Sequence, residues 1–423
     1  MQNLRNKIYG LLRYSEHFFK TDMVYLAKGG SWLSFGHVVA MLSGFGLSIA
    51  FANLFPKESF GTYKFILSVV GILGALSLTG LGTAIIQATA RNFGGILNQS
   101  FRINLKWSVG IFIGGIILGT YYYINGDMIL SFSFILAGIF SPVITSSGIY
   151  ASYLLGKKDF RRNSLYSMIR NFVPAATLIL TLLLTQNLLI IIVVYFCSSV
   201  SVSLFLYYKT VNAYRGTNNA EDPELLSYSG HLSIMEIIGR ISGQLDKILI
   251  FHYLGAAPLA IYAFAIAPIE QLQGGKKILS SLIIPKLSTR SFEELQKTAP
   301  RKALLLTVYA LGLAGVYALI APYFYKFFFP QYLDSVFYSQ IYSLTLLAVS
   351  GTIFNETLMT HKKKTELYLH RTIVPILQII LFLILLPIFG IMGLIFTHII
   401  IRSFSGILAY YFVMHPFEST SSS

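Results

Sequence analysis

The sequence predicts an all-α, polytopic membrane protein with about twelve transmembrane helices. Of its 423 residues, 55% are hydrophobic and only 12% are charged, whereas a soluble domain carries roughly 25% charged residues. The apolar residues also form runs close to the ~20 residues that cross a bilayer. Because so few charges cannot cover the surface of a water-soluble particle, the chain is assigned to the membrane.

The apolar runs fall into two sets of six, separated by the loop-like segment from Lys209 to Ser227. The first set lies near 31–54, 60–87, 107–124, 128–155, 166–185 and 188–208, and the second near 229–253, 259–285, 303–321, 336–359, 372–388 and 391–413. We therefore expect five regions: a cytoplasmic or interfacial amphipathic segment at 1–30, a six-helix bundle at 31–208, a cytoplasmic linker at 209–228, a second six-helix bundle at 229–413 and a cytoplasmic tail at 414–423.

The N-terminal segment is basic and lacks the apolar core and cleavage site of a signal peptide. Its apolar positions favour a short helix lying on the membrane surface. A disordered tail explains the same composition equally well.

Lysine and arginine are distributed unevenly between alternate loops. One set of loops contains most of them, and we place Arg170 in this set with the basic cluster at 157–162. The opposite loops contain only Lys57, Lys64 and Lys326. Since positively charged loops stay in the cytoplasm, both termini are predicted to be cytoplasmic and the protein to lie in the cell inner membrane. The net charge of +15 is then mainly a topology signal, which argues against a nucleic-acid partner.

The two halves resemble each other after their first helices. The stretch NLFPKESFGTYKF at 53–65 and the stretch YLGAAPLAIYAFA at 253–265 both place a tight turn before a tyrosine-containing helix. Because six spans separate the copies, the repeat is parallel. Parallel repeats pack around an axis along the membrane normal, with the substrate path between them.

Motifs for enzymatic chemistry are absent from the sequence. It has no Walker loop, no H-E-x-x-H motif and no cysteine or histidine spacing typical of a metal site. The single cysteine, Cys197, excludes an internal disulfide framework. The sequence therefore predicts neither an enzyme nor a cofactor.

The seventh span, GHLSIMEIIGRISGQLDKILIFHY, carries the largest number of embedded charges. Glu236, Arg240 and Lys247 fall within about 40° of one another around the helix, and the stripe rises about 16 Å. Gln244 lies near the same face, and Asp246 directly precedes Lys247 in the sequence. A charge at mid-bilayer costs at least ~2.5–3.5 kcal/mol on insertion scales. Either a water-filled cavity or an interhelical ion-pair network that fixes packing explains the stripe.

The eighth span supplies a second polar face around Glu270, and Pro268 favours a kink just before it. Lys276 and Lys277 follow, and the alternative for them is that they extend to the cytoplasmic surface. Four further charged or titratable residues lie inside or at the ends of spans and are candidates for the polar site: His37, Arg91, His398 and Arg402. The alternative is a buried core histidine for His37 and His398, and an anchor at the membrane interface for Arg91 and Arg402.

The stretch SGQLDKILIFHYLGAAPLAIYAFA at 242–265 resembles the Wzx-type polysaccharide or O-antigen repeat-unit flippases of the multidrug/oligosaccharidyl-lipid/polysaccharide exporter superfamily. The first-half counterparts are ANLFPKESFGTY at 52–63 and LTGLGTAIIQATAR at 78–91, although Phe55-Pro56 replaces the usual Leu-Gly. The resemblance implies two six-helix bundles, alternating access and a cationic central cavity. It also implies a cargo, a polyprenyl-diphosphate-linked oligosaccharide that is flipped to the periplasmic leaflet for O-antigen, lipopolysaccharide or capsule biosynthesis. Further implied partners are a polysaccharide polymerase and chain-length proteins.

Two groups of site residues follow from the resemblance and from the embedded charges. The cationic group, expected to bind the diphosphate, is Arg240, Lys247, Lys276, Lys277 and Arg91. The polar group, expected to line the cavity or couple ions, is Glu236, Asp246, Glu270, Gln244 and His37. Among the carboxylates, Glu270 is favoured for proton coupling because it is several residues from the nearest lysine.

Two other functions remain open at this stage. A multidrug or cation antiporter of the same superfamily would favour a net acidic cavity. A membrane-embedded glycan polymerase or ligase would need a large periplasmic loop with acid and base groups, and the longest candidate, residues 321–335, is instead aromatic.

Overall fold

A computed structural model describes residues 23–215, 220–274, 291–361 and 363–417. Within these ranges the backbone consists of α-helices, short 3-10 helices and connecting turns, with no strand. The predicted all-α membrane fold is therefore confirmed. The expected interfacial segment at 1–30 is described only from Met23, where a helix already begins, and residues 418–423 of the expected tail lie outside the described residues.

The helices of the first part of the chain are α1 Met23–Leu54, α2 Lys57–Leu73, α3 Leu81–Ala90, α4 Ile96–Trp107, α5 Val109–Ile124, α6 Met128–Ser147, α7 Tyr150–Gly156, α8 Phe160–Leu184 and α9 Leu188–Ala213. Those of the second part are α10 Leu225–Leu254, α11 Ala256–Gly274, α12 Phe292–Phe328, α13 Ser335–Tyr342, α14 Thr352–Thr360, α15 Lys364–Phe389 and α16 Ile391–Met414.

Ten stretches of the described chain are long and apolar enough to cross a membrane. They correspond to ten of the predicted spans, and the other two predicted spans coincide with α10 and α11. Helix α10 is about 45 Å long, but it carries the charged residues Glu236, Arg240, Asp246 and Lys247. Helix α11 is described as far as Gly274.

The predicted span at 60–87 is not one continuous helix. Helix α2 ends at Leu73, a 3-10 turn follows at Gly74–Leu76, and α3 begins only at Leu81. Gly74 and Gly80 flank this break, and glycine is the residue that most weakens a helix interior. The predicted span at 336–359 is interrupted in the same way by a 3-10 helix at Ser343–Gly351.

The described chain forms two compact units. The first unit contains the described residues within 35–263 and 326–333, and the second contains those within 23–34, 264–325 and 334–417. The first unit thus includes α10, the seventh predicted span. The predicted linker at 209–228 and the bundle boundaries that depend on it stay a prediction.

Close contacts at glycines explain why α10 packs inside the first unit. A Cβ at Gly61 would lie 1.8 Å from the carbonyl oxygen of Ala256, and a Cβ at Gly80 would lie 2.4 Å from the Cβ of Leu232. The backbone N–H of Gly80 also donates to Ser233 Oγ at 3.0 Å. Small residues allow helices to approach this closely in a membrane, so these glycines bring α2 and α3 against α10 and the start of α11.

The second unit has its own packed core, which joins α12, α14 and α16. Gly351, which precedes α14, and Gly406 of α16 meet so closely that a Cβ at Gly351 would lie 2.6 Å from the Cα of Gly406. The buried apolar residues around this crossing are Ala299, Ala303, Ile353, Phe354, Leu358, Ala409, Phe412 and Val413.

Candidate functional site

The charged stripe of α10 is present in the first unit. Arg240 and Glu236, one helical turn apart, form an ion pair with Arg240 Nη2 3.9 Å from Glu236 Oε2. Their side chains are 46% and 39% exposed, respectively. The pairing expected from their spacing is therefore present, and the distance and exposure leave both side chains accessible to a ligand.

Asp246 and Lys247 lie further along the same helix and are bound to each other. Lys247 Nζ is 3.1 Å from Asp246 Oδ1, and Tyr262 donates its hydroxyl to Asp246 Oδ2 at 2.7 Å. Asp246 is only 2% exposed. Its carboxylate is thus buried in contacts that join α10 to α11, rather than lining an open cavity, and a role in ion coupling stays a prediction.

A second lysine, Lys64, adds positive charge near Lys247. It lies on α2 within the stretch Lys57–Leu76, which is apolar enough to cross a membrane, and its Nζ is 5.1 Å from the ring centre of Phe60. The charges of Lys64 and Lys247 repel each other. The sequence analysis had placed Lys64 in a loop on the opposite side, because its distance from the start of the helix was not evident. Arg240, Lys247 and Lys64 therefore exceed Glu236 and Asp246 by one positive charge.

The remaining predicted residues of the first unit are less closely connected. Arg91 is exposed at the end of α3, and His37 is partly buried on α1. Gln244 packs against Gly71, where a Cβ would lie 3.1 Å from Gln244 Cγ. In the described part of the chain, no hydrogen bond or ion pair joins Arg91 or His37 to Arg240. The predicted ligands Lys276 and Lys277 lie outside the described residues.

A separate polar network in the second unit is centred on Glu270. The carboxylate accepts a hydrogen bond from the Tyr342 hydroxyl and another from Arg402 Nη2 at 2.5 Å. Arg402 Nη2 is also 3.0 Å from the Tyr342 oxygen, and the ring of His398 meets the Tyr342 ring edge-on, with centres 5.6 Å apart. Nearby, Gln273 donates to Thr345 Oγ1 at 2.9 Å. This network joins α11, α13 and α16.

Glu270 therefore has a cation close to it that the sequence analysis did not consider. Only lysines near Glu270 in sequence had been considered, whereas the cation that pairs with it, Arg402, is 132 positions away. Arg402, which the sequence analysis named only as a candidate inside or at the end of a span, forms an ion pair inside the second unit.

Each unit also contains a cavity bordered by one arginine. In the second unit, a cavity of about 290 Å³ is lined by Arg402 together with residues of α12, α14 and α16. In the first unit, a cavity of about 320 Å³ is lined by Ala40, Gly44, Leu47, Ile144, Arg170, Asn171, Pro174, Ala175, Leu178, Tyr195, Ser199 and Ser203.

Arg170 is a residue that the sequence analysis missed. It had been assigned to the cytoplasmic loops with the basic cluster at 157–162, but it lies ten residues inside α8, which begins at Phe160. The signal for this position was present, since Asp159 caps the helix by accepting from the backbone N–H of Arg162 at 3.1 Å. An aspartate at the start of an apolar run marks the first turn of a helix, so Arg170 belongs about 15 Å inside it.

No described group of three or more histidine, cysteine, aspartate or glutamate side chains is arranged to hold a metal ion.

A family model described as "Polysaccharide biosynthesis protein" matches residues 26–290. The matched region includes the α10 stripe and most of the first unit. A search of curated proteins found no match to the sequence.

Several solved transporter structures share the fold over most of their length. The Lipid II flippase MurJ in an inward closed conformation has a TM-score of 0.67 and 14% identity, over 90% of this chain and 86% of that chain. An outward-facing multidrug resistance MATE family transporter of the MOP superfamily has a TM-score of 0.58 and 15% identity, over 92% and 95%. A MOP superfamily transporter from Pyrococcus furiosus has a TM-score of 0.61 and 14% identity, over 92% and 96%. At these identities the likeness establishes the fold and nothing finer.

Proposed function

The chain belongs to the polysaccharide biosynthesis protein family, and from that premise we propose that it is a flippase for a polyprenyl-diphosphate-linked oligosaccharide. It moves the lipid-linked oligosaccharide from the cytoplasmic to the periplasmic leaflet of the inner membrane by alternating access, with both termini in the cytoplasm. The product supplies O-antigen, lipopolysaccharide or capsule assembly, where a polymerase and chain-length proteins act next.

The observation that carries this proposal is the excess of positive charge on and beside α10. Arg240, Lys247 and Lys64 lie on helices that pack in the first unit, and the described acidic residues on α10 that pair with Arg240 and Lys247 are Glu236 and Asp246. A diphosphate needs positive partners when it leaves water, and charge-assisted hydrogen bonds to guanidinium and ammonium groups are the strongest available. The lipid tail stays in the bilayer while the head group crosses.

Arg240 is the residue assigned to the diphosphate most directly. Its ion pair with Glu236 is long, at 3.9 Å, and half-exposed, so an incoming phosphate can take over the guanidinium without leaving a buried charge unpaired. Lys247 is already bound to Asp246 at 3.1 Å and contributes mainly as a point charge.

The membrane potential supplies the driving force in this proposal. A diphosphate carries about two negative charges, and an interior-negative potential favours moving them outward, which yields about 4–5 kcal/mol at 100 mV. Any proton coupling runs through Glu270. Because Glu270 is paired with Arg402, its protonation would also release Arg402 and Tyr342, which links proton binding to the contacts of α11, α13 and α16.

One alternative has an observation in its favour. The solved transporters of the same fold include multidrug transporters, so export of a drug or a cation is the second candidate. The charges around α10 are net positive, which disfavours a cationic cargo.

The test is made in cells that depend on this gene for surface polysaccharide. Arg240→Ala is expected to abolish surface polysaccharide and to cause lipid-linked oligosaccharide to accumulate, with normal protein levels in the membrane. Arg240→Lys should be only partly active, because the planar fork is lost. Arg161→Ala, at the exposed start of α8, is the matched control and should retain full activity. Normal polysaccharide in the Arg240→Ala strain would make Arg240 a packing residue.

A further inference from the structure

The first-unit cavity borders the middle of two helices that are long and apolar enough to cross a membrane. Helix α8 runs from Phe160 to Leu184, so Arg170 is two residues, or about 3 Å, from its midpoint. Ser199, which also lines the cavity, is within two residues of the midpoint of α9, Leu188–Ala213. The cavity is therefore lined by the middle parts of two helices that are apolar enough to cross a membrane, and the side chains of Arg170 and Asn171 that border it are exposed.

Arg170 gives this cavity its charge. Of the described residues that line it, Arg170 alone is charged. Beside the guanidinium, Gly148 leaves room, since a Cβ there would lie 3.6 Å from both Nη1 and Nη2. Tyr150 and Tyr195 also lie within electrostatic reach of it. A charge inside a membrane span is costly and normally marks a functional site; Arg170 lies inside the candidate span Phe160–Leu184 and borders a cavity.

The uncharged lining is suited to a sugar. Asn171 uses its amide nitrogen on the carbonyl of Ser167 at 2.7 Å, which leaves its side-chain oxygen to accept a hydrogen bond. The hydroxyl groups of Tyr195, Ser199 and Ser203 add donors and acceptors, while Pro174 and Leu178 supply apolar surface. The volume of about 320 Å³ is at the lower end of small-molecule sites, roughly 300–1,000 Å³. It suits a single sugar ring better than a whole oligosaccharide.

The single positive charge of Arg170 indicates which kind of sugar the cavity binds. A guanidinium matches one carboxylate in a bidentate, planar arrangement. A diphosphate carries about two negative charges or more, and this cavity offers one positive charge to balance them. We propose that the Arg170 cavity binds a carboxylate-bearing sugar, such as a uronic acid unit, of the transported glycan. This inference rests on the proposed flippase function and adds that the oligosaccharide is acidic.

Binding of free sugars tests the cavity without any transport. The purified full-length protein is heated in detergent with glucuronate, with glucose or with inorganic pyrophosphate, and the unfolding midpoint is measured. Glucuronate is expected to raise the midpoint in a concentration-dependent manner, and glucose at the same concentration is not. Arg170→Gln should weaken glucuronate binding by about tenfold or more, because hydrogen bonds to charged groups are lost. Arg161→Gln, at the start of the same helix, should leave the glucuronate effect unchanged.

Three outcomes of this measurement would overturn the inference. The first is an equal effect of glucose and glucuronate on the wild-type protein, which needs no variant to observe. The second is a glucuronate effect that persists in Arg170→Gln. The third is an Arg170-dependent effect of pyrophosphate alone, which would assign the cavity to the lipid diphosphate. If Arg170→Gln does not fold, Asn171→Leu replaces it, with the same expected loss and the same refuting result.

A transport measurement separates this inference from the proposed function. Two labelled polyprenyl-diphosphate lipids, one with a neutral disaccharide and one with a uronate-containing disaccharide, are compared in proteoliposomes. The wild-type protein should flip the acidic lipid faster, and Arg170→Gln should make the two rates equal. Equal wild-type rates would refute the acidic-glycan inference and leave the flippase function standing. Flipping of neither lipid would count against the flippase function, and the glucuronate binding result would still decide the cavity.

Discussion

Substituting Gly61 tests how closely α2 packs against the start of α11 in the first unit. A Cβ at this position would lie 1.8 Å from the Ala256 carbonyl oxygen and 2.6 Å from the Ala256 carbonyl carbon, whereas non-bonded atoms of this kind prefer roughly 3.5 Å. To reach that spacing, Gly61→Ala must push α2 away from the chain at Ala256 by more than roughly 1 Å. Overpacking of this kind costs about 1–3 kcal/mol.

Gly46→Ala is the matched control, because a Cβ at Gly46 would meet nothing within 4 Å. Both substitutions lie inside helices and gain about the same helix propensity, 0.5–1 kcal/mol, so this gain cancels between them. The two purified variants are unfolded in detergent, and Gly61→Ala is expected to be less stable than Gly46→Ala by about 1–3 kcal/mol. Equal stability of the two variants would refute the close approach of α2 to Ala256.

The other predictions concern topology and ion coupling. Reporter fusions at Asn125 should indicate a periplasmic position and fusions at Lys363 a cytoplasmic one; the same compartment for both would break the predicted alternation of spans. Glu270→Gln should abolish the response of flipping to a pH gradient, measured in proteoliposomes, because the amide cannot take up a proton. Glu293→Gln, in the exposed first turn of α12, is the control and should keep that response. An unchanged pH response in Glu270→Gln would remove Glu270 from any coupling mechanism.

The membrane class, most of the spans and the family were predictable from local sequence features. Ten of the predicted spans correspond to stretches that are apolar and long enough to cross a membrane, because hydropathy over ~20 residues depends only on neighbours in the chain. The pair Glu236 and Arg240 was predictable for the same reason, since residues four apart lie on one helix face. The motifs at 242–265 and 52–63 indicated the family that the match over residues 26–290 confirms.

Contacts between distant parts of the chain were not predictable in this way. The pairing of Glu270 with Arg402 joins α11 to α16, and helical periodicity carries no information about which helix lies opposite. The packing of α2 against the start of α11 depends on how closely Gly61 approaches Ala256. Arg170 was misplaced for a different reason: the charge distribution alone cannot distinguish a basic loop from an arginine two to three turns inside the following helix.

The measurement that tests the central claim most directly is flipping of a polyprenyl-diphosphate-linked oligosaccharide by the purified protein in proteoliposomes. A potassium-diffusion potential is applied so that the compartment from which the head group leaves is negative. The account predicts flipping that requires the protein, accelerates with the potential and is lost in Arg240→Ala. No flipping by the wild-type protein, or equal rates in wild type and Arg240→Ala at every potential, would contradict it.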